Sequence, residues 1–531
     1  MPRLARSLHA VRLRHVLFAG ILALGIPGGS LLAGAILGRE ALAQPGRPPV
    51  LAIRGARVHT LTGPPLEGAT VLVRRGEIVA VGTDVQIPRG SSILEAEGME
   101  LTPGLIDAWS GSLVGDGAPQ DRGATSDARA ADAVDPFLAD EIQELLQGGI
   151  TTLHVDYGYP SGFGCRGAVV RLVKGSAGSD FLRVPEASLT SSLGVSTAQP
   201  LLRLGELKGL RSDLIAARKY KESWEEYDEA LEEYMEKIEE RKKKDEAEDK
   251  KEGQTTDPGK PGDDKPGDAP EKDKPEDEPK GERRRRPHAS HVEDPVVGEE
   301  DLQRPRRRPR PEAPPPEETT EEPKSDKKTE GDLDKPIRPR KDPRLELIVQ
   351  LLEGKMPLRV EAHRAEDVLN AIALAKEHKL RLQLVGCSEG YRIAKDIAER
   401  HVPVILGPTL ESILPRRDAL RFHRPGTAAR LHEAGATVVL GTSSHVAGGS
   451  RFLRANAALA VSHGLDRDAA LRAITVEAAR VLGLDDRLGT IEKGKDADLV
   501  LFRGDPLDPR AAVEVVIVGG EVVYRKEEAG R

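Results

Sequence analysis

The sequence predicts an α/β fold, with a barrel of buried strands at its centre and a small sheet built from both ends. Three observations carry that reading. Between residues 101 and 484, short apolar runs alternate with segments of helical periodicity, the pattern of strand–helix units that close a parallel sheet into a barrel. Near each end lie short strands bounded by Gly, Pro and Asp, each set too small to stand alone. Charge is crowded into one central block, so the 38% apolar fraction of this 531-residue chain understates the core-building composition of the rest.

The chain opens with Arg3, Arg6, Arg12 and Arg14, followed by an apolar run from Val16 to Leu37 and by Ala41-Leu42-Ala43 before Gln44. A positive start, an apolar stretch and a small-residue cleavage site describe an export signal over 1–43, and hence a periplasmic or extracellular protein. Pro27-Gly28-Gly29 interrupts the run and argues against a stable spanning helix. At about 22 residues the run is also long enough to span a bilayer. An uncleaved anchor therefore stays open, and it is the only route by which this chain would meet a membrane.

Strands are expected at Val50–Ile53, Ala69–Val73 and Ile78–Gly82, and at the far end at Ala497–Phe502 and Val513–Gly520. These two half-sheets, 50–100 and 485–526, are expected to fold together. Barrel strands are expected at Gly149–Val155, Leu358–Glu361, Arg381–Val385, Val402–Leu406 and Ala436–Leu440, with helices at Asp367–His378 and Tyr391–Arg400. They fall in two barrel segments, 101–241 and 343–484.

Within the first segment, Tyr220, Trp224, Tyr227, Leu231, Tyr234 and Ile238 repeat at spacings of four and three, a heptad-like stripe opened by a cap at Ser212-Asp213. Such rings dominate burial energetics, so the stripe is expected to pack on the barrel or on a partner, a second copy included. From 242 to 342 the composition collapses into Lys, Glu, Asp, Pro and Gly. That stretch buries too little apolar surface to offset chain entropy and is expected to be disordered. Its basic clusters, Arg283–Arg286 and Arg304–Arg310, are flanked by acidic runs. With 79 basic and 87 acidic residues and a net charge of -8, nothing draws the molecule as a whole to nucleic acid. Two cysteines, Cys165 and Cys387, exclude a disulfide framework and read as buried thiols.

Three further stretches carry a resemblance. Gly76-Glu77-Ile78-Val79-Ala80-Val81-Gly82, the run Ala96 to Asp107 ending Leu101-Thr102-Pro103-Gly104-Leu105-Ile106-Asp107, and Leu471 to Leu484 followed by Gly489 to Leu499 occur in this order along the chain. Together they resemble the amidohydrolase superfamily, of the imidazolonepropionase-like type, over nearly all of the chain outside the signal and the insert. The resemblance implies a distorted (β/α)8 TIM barrel beside a composite β-sandwich formed by both ends. It also implies one or two divalent ions held at the carboxyl ends of the barrel strands, where a bound ion makes hydroxide and polarises a scissile carbonyl.

Carried over position by position, the implied ligands are missing. The family's His-x-His pair falls on Trp109 and Gly111, its next histidine on Glu361 with a second histidine kept at His363, the following one on Gly386, and the aspartate that shuttles the proton on Ser443. Lys174 is a weak counterpart for a bridging lysine. Neither an indole nor a hydrogen atom donates a lone pair, and one carboxylate does not hold a catalytic zinc. The expectation is a pseudoenzyme with no cofactor, whose candidate pocket of Trp109, Glu361, His363, Cys387, Glu389, Ser443 and His445 takes a small molecule or a protein. The competing reading is an active hydrolase of carbon–nitrogen bonds in cyclic amides, with a rearranged zinc site at Glu361, His363 and His445. His154 and Asp156 are further polar residues expected near the mouth. Ser443 and Ser444 beside His445 lack the Gly-x-Ser-x-Gly elbow of a nucleophile. No electropositive neighbour marks Cys387 as reactive.

Overall fold

The computed structural model describes residues 50–114, 128–158, 161–173, 178–195, 199–252, 334–407, 423–443 and 449–527. The segment read as an export signal, Lys174, Ser444, His445 and most of the charged insert lie outside the described residues.

The two ends of the chain share one sheet. From the N-terminal side come β1 (Val50–Val58), β2 (Leu66–Arg74), β3 (Glu77–Gly82), β4 (Ser92–Glu95) and β5 (Glu100–Pro103). The C-terminal side supplies β14 (Leu499–Arg503), β15 (Ala512–Val518) and β16 (Glu521–Arg525). The order is β16-β15-β14-β5-β1-β2-β3, with β4 also paired to β1. The joint is the antiparallel β5–β14 pair, where Leu101 faces Leu501. Ile53, Val71, Val73, Ile78 and Leu101 from one end pack with Leu499, Leu501, Val515 and Ile517 from the other. Neither half could bury these residues alone. Since β5 belongs to this sheet, the N-terminal half runs to Pro103, three residues past the boundary read from the sequence.

The second sheet is the barrel: β6 (Leu105–Ser110), β7 (Ile150–Val155), β8 (Gly162–Arg171), β9 (Leu182–Leu193), β10 (Leu358–Ala362), β11 (Leu382–Gly386), β12 (Val404–Leu406) and β13 (Val438–Leu440), neighbours in chain order. A bridge between Ser110 and Ser443 brings the last strand back to the first. The sheet is not uniformly parallel as the sequence suggested, because β8 runs against both β7 and β9. Only residues 156–161 separate β7 from β8, and 172–181 separate β8 from β9. A parallel return needs a crossover of roughly a dozen residues or more, so links this short force hairpins.

Outward-facing Leu153, Val155, Leu189, Leu358, Val360, Leu384, Val404 and Leu440 form the main core. Helices flank the wall: α1 (Ala139–Gln147), α3 (Pro343–Leu352), α4 (Ala365–His378), α5 (Ala394–Glu399), α6 (Thr427–Glu433), α7 (Leu453–Ser462), α8 (Arg467–Ala473) and α9 (Val476–Val481). Inside the barrel a separate cluster gathers Ile106, Ala108, Trp109, Val169, Val385, Ile405 and Val439, with Ala478, Ala479, Val481, Leu484 and Leu488. A buried ion pair ties the two sheets together: Arg171 of β8 donates through Nε to Asp498 Oδ2 at 2.8 Å and through Nη2 to Oδ1, and Asp498 Oδ1 also accepts from Gly519 N–H.

The aromatic stripe lies on α2 (Pro200–Glu252), about 80 Å long at 1.5 Å per residue. This helix begins twelve residues before Ser212, so Ser212-Asp213 is interior rather than a cap, and Asp213 instead pairs with Arg344. It also continues ten residues past the expected start of the insert. Lys and Glu are good helix formers, and Glu233–Lys237 and Glu239–Lys243 are spaced to pair along it. Leu210, Leu214 and Ala217 are buried in the barrel's outer core. Beyond them Trp224 stands edge-on to Tyr220 and Tyr227, with the Arg338 guanidinium 5.4 Å over its ring, and Tyr220 donates to Glu346.

Candidate functional site

The strand ends that would hold a metal in the resembled family are filled by the chain itself. Trp109, at the end of β6, is 1% exposed and packs with Val385, Ile405 and Val439 in the lumen. Two glycines make room for it. A Cβ at Gly407 would sit 2.5 Å from the indole Cζ3, and one at Gly441 would sit 2.8 Å from the Trp109 Cβ. Position 386 is likewise taken: a Cβ there would lie 2.6 Å from His363 Cε1, and Gly386 has φ +88°, where side chains are rare. Ser443, fully buried at φ 77°, donates its N–H to the Trp109 carbonyl at 2.8 Å and so closes the barrel seam.

Glu361 and His363 do come together. His363 Nε2 lies 3.1 Å from Glu361 Oε1, and its Nδ1 lies 2.7 Å from Ser388 Oγ. A carboxylate only accepts, so Nε2 carries its proton toward Glu361, while Nδ1 is paired with the Ser388 hydroxyl. Both nitrogens are thereby engaged within the protein. Glu389 serves a helix end instead. Its carboxylate accepts from Ala365 N–H at the start of α4, a charge placed where the helix dipole favours it. Cys387 leaves the candidate pocket. It packs in the outer core at φ 45°, and burial pushes its thiol well above the ordinary range; Cys165 is raised to about 11, mainly by burial. His445 is outside the described residues. Among the described residues no group of three or more His, Cys, Asp or Glu side chains is arranged to hold a metal ion.

Two fully buried charged residues lie in this region that the sequence reading gave no role. Arg359 projects from β10 one inward position below Glu361. Its Nε donates to Gln383 Oε1 at 2.9 Å, Nη1 to His154 Nδ1 at 2.5 Å and Nη2 to the Ala108 carbonyl at 2.6 Å. Asp156 Oδ2 is 3.8 Å from Nη1. Burial, and then the Arg359 charge, hold His154 neutral well below its usual range. The guanidinium can only donate, so His154 accepts at Nδ1 and gives its Nε2 proton to Ser188 Oγ at 2.9 Å. Its coordinating lone pair is spent.

The second is Asp107. Burial raises this carboxyl from its ordinary 3.8 to about 6, against hydrogen bonds from Ser450, Thr442 and the Trp109 and Thr442 amides that pull the other way. Thr442 Oγ1 is at 2.5 Å and Ser450 Oγ at 2.6 Å, so Asp107 clamps β6 to the segment after β13. The legible signal for both was a lone charge within an otherwise apolar strand, in Leu358-Arg359-Val360 and Leu105-Ile106-Asp107-Ala108.

Comparison with known proteins agrees with this frame. The model of the amidohydrolase family matches residues 353–523. An imidazolonepropionase from Deinococcus deserti is 31% identical over 143 residues, covering 23% of this chain and 35% of that protein. A 5-methylthioadenosine/S-adenosylhomocysteine deaminase from Desulforudis audaxviator is 46% identical over 70 residues, 10% of this chain and 16% of the relative. The chain thus aligns with about a third or less of these relatives' length. Among solved structures, an amidohydrolase from Thermotoga maritima superposes with a TM-score of 0.62 at 24% identity, over 90% of this chain and 100% of the other, which speaks for the fold. The family-model match, the imidazolonepropionase relative and the shared fold together support the amidohydrolase superfamily for this chain.

The implied divalent ion does not fit the donors present among the described residues. Trp109, Gly111, Gly386 and Ser443 stand where the resemblance implies ligands, His154 has given its lone pair to Arg359, and His363 is engaged on both sides. A catalytic zinc needs about three protein donors with one position left open.

Proposed function

We propose that this protein is a metal-independent amidohydrolase homologue, a pseudoenzyme whose barrel mouth binds a small molecule in place of hydrolysing one. The observation that carries the reading is the Trp109 indole in the lumen, seated against Gly407 and Gly441 where a side chain on either would collide with it. A transient loss of metal would leave a cup of donors; here an indole packs into the throat. Support for a ligand comes from Ser192 on β9, in register beside Glu361, whose hydroxyl is buried and has no hydrogen-bond partner among the described residues. A polar group on a bound molecule would satisfy that hydroxyl. The relatives' names suggest hydrolysis or deamination, and a hydrolase reading would need His445 to join Glu361 and His363.

The test is elemental analysis of protein purified without added metal, followed by calorimetric titration with zinc. The expected result is no stoichiometric ion and no tight site. About one ion per chain, lost in His363→Ala, would overturn the reading. We further propose export through residues 1–43, checked by N-terminal sequencing of the mature protein, where a start at Gln44 is expected.

A further inference from the structure

We infer that the Arg359 guanidinium has replaced the metal as the resident cation of the barrel. This rests on the metal-independent reading and goes beyond it, because it names what balances the buried polar groups instead. The side chain is 0% exposed and donates to acceptors on three other strands: the Ala108 carbonyl of β6, His154 Nδ1 of β7 and Gln383 Oε1 of β11. The Asp156 carboxylate, also 0% exposed, lies 3.8 Å from Nη1. Gln383 carries the network onward, its Nε2 donating to the Val481 carbonyl at 2.7 Å at the end of α9.

Burying a guanidinium is costly unless its donors meet acceptors and its charge meets a counter-charge. Both conditions hold here. The planar fork reaches several strands at once, which a metal does by coordination and a lysine ammonium cannot reproduce. The imidazole nitrogen that accepts from Arg359 is closed to any other cation while that hydrogen bond stands. Unlike an ion, a tethered cation neither dissociates nor responds to chelators.

The site should therefore be specific for a guanidinium even when the tether is cut. In Arg359→Ala, the acceptors from β6, β7 and β11 are left facing a cavity. Low millimolar guanidinium or methylguanidinium should raise that variant's melting temperature by several degrees, while the wild type stays level or falls. Equal concentrations of sodium chloride or urea should not do so, and Arg359→Lys should remain below the wild type. Two results would overturn the inference: Arg359→Met as stable as the wild type, or guanidinium acting alike on wild type and Arg359→Ala. Should Arg359→Ala fail to fold, the acceptors decide. His154→Leu should lower the melting temperature and His154→Gln, which restores an acceptor, should recover it; equal loss in both overturns the proposal. Zinc content leaves this outcome untouched, so failure here is distinguishable from failure of the metal-independent reading.

Discussion

If the indole of Trp109 occupies the throat, enlarging Gly407 should hurt the protein only while the ring is present. In Gly407→Ala the new methyl would stand 2.5 Å from Cζ3, 3.2 Å from Cε3 and 3.3 Å from Cη2, an overlap of about 1 Å with ordinary carbon contacts of roughly 3.5 Å or more. Overpacking of this kind costs about 1–3 kcal/mol, because strands β6 and β12 must part or the ring must leave its rotamer. Trp109→Ala alone opens a cavity, at about 3–5 kcal/mol. In the double variant the methyl meets empty space, so the two losses should fall short of additivity by about 1–3 kcal/mol. Urea unfolding of the four proteins, followed by near-ultraviolet circular dichroism, gives the coupling directly. Losses that add within about 0.5 kcal/mol would show that ring and glycine do not meet, and the plugged-throat argument would fail.

Asp107 makes stability depend on pH with an unusual sign. Its carboxyl titrates near 6 when folded and near 3.8 when unfolded, so between those values the folded state holds the extra proton. Stability is then highest below pH 4 on this group's account and falls by about 3 kcal/mol as pH rises through 6; the difference between wild type and Asp107→Asn unfolding energies across pH 4–7.5 isolates it, and a flat difference contradicts the assignment. Removing one member of the buried Arg171–Asp498 pair, as in Asp498→Asn, strands a charge between the two sheets and should cost about 3–5 kcal/mol in thermal or urea unfolding. Both thiols should resist a thiol-exchange reagent at pH 8 in the native protein and react at once in denaturant, since burial holds each in its protonated form; rapid native labelling of Cys387 would contradict its placement in the outer core.

The fold was legible where its causes are local. Period-two apolar runs announced the terminal strands, and the two half-sheets could be joined on the argument that neither suffices alone. The barrel strands from Leu358 to Leu440 lie at nearly their expected limits. What escaped was β8 and β9: Gly162–Arg171 and Leu182–Leu193 mix Gly, Ser, Thr and Arg with apolar residues, because their inward faces line a polar region around His154 and Arg359. A face buried against polar partners leaves no hydrophobic period to read. The resemblance sets Trp109, Gly111, Glu361, Gly386 and Ser443 at ligand positions from sequence alone, but only the folded chain shows the Trp109 indole packed in the lumen. The hydrogen bonds from Arg359 join residues separated by 24, 205 and 251 positions, a distance in sequence over which no spacing rule operates. Helix α2 overruns its expected limits at both ends for a simpler reason: its charged continuation is helical by propensity and local pairing, without an apolar face to mark it.

On the metal-independent reading proposed above, these pieces would let such a barrel stand without an ion. The wall is held from outside by the Leu, Ile and Val core shared with the helices, which owes nothing to the lumen. The lumen needs only two things, filled volume and balanced charge. Trp109, Val385, Ile405 and Val439 supply the first. Charge is handled differently at two levels. At the seam, Asp107 accepts from the hydroxyls of Thr442 and Ser450 and from two backbone amides, and it answers burial by raising its pKa. Further round the ring, acceptors from three strands and the Asp156 carboxylate close around the Arg359 guanidinium. A barrel stabilised by coordination would loosen when its ion left. One held by a guanidinium and protonatable carboxyl should instead loosen with mutation or pH, and the same chelator that empties a metal-dependent relative should leave its melting curve where it was.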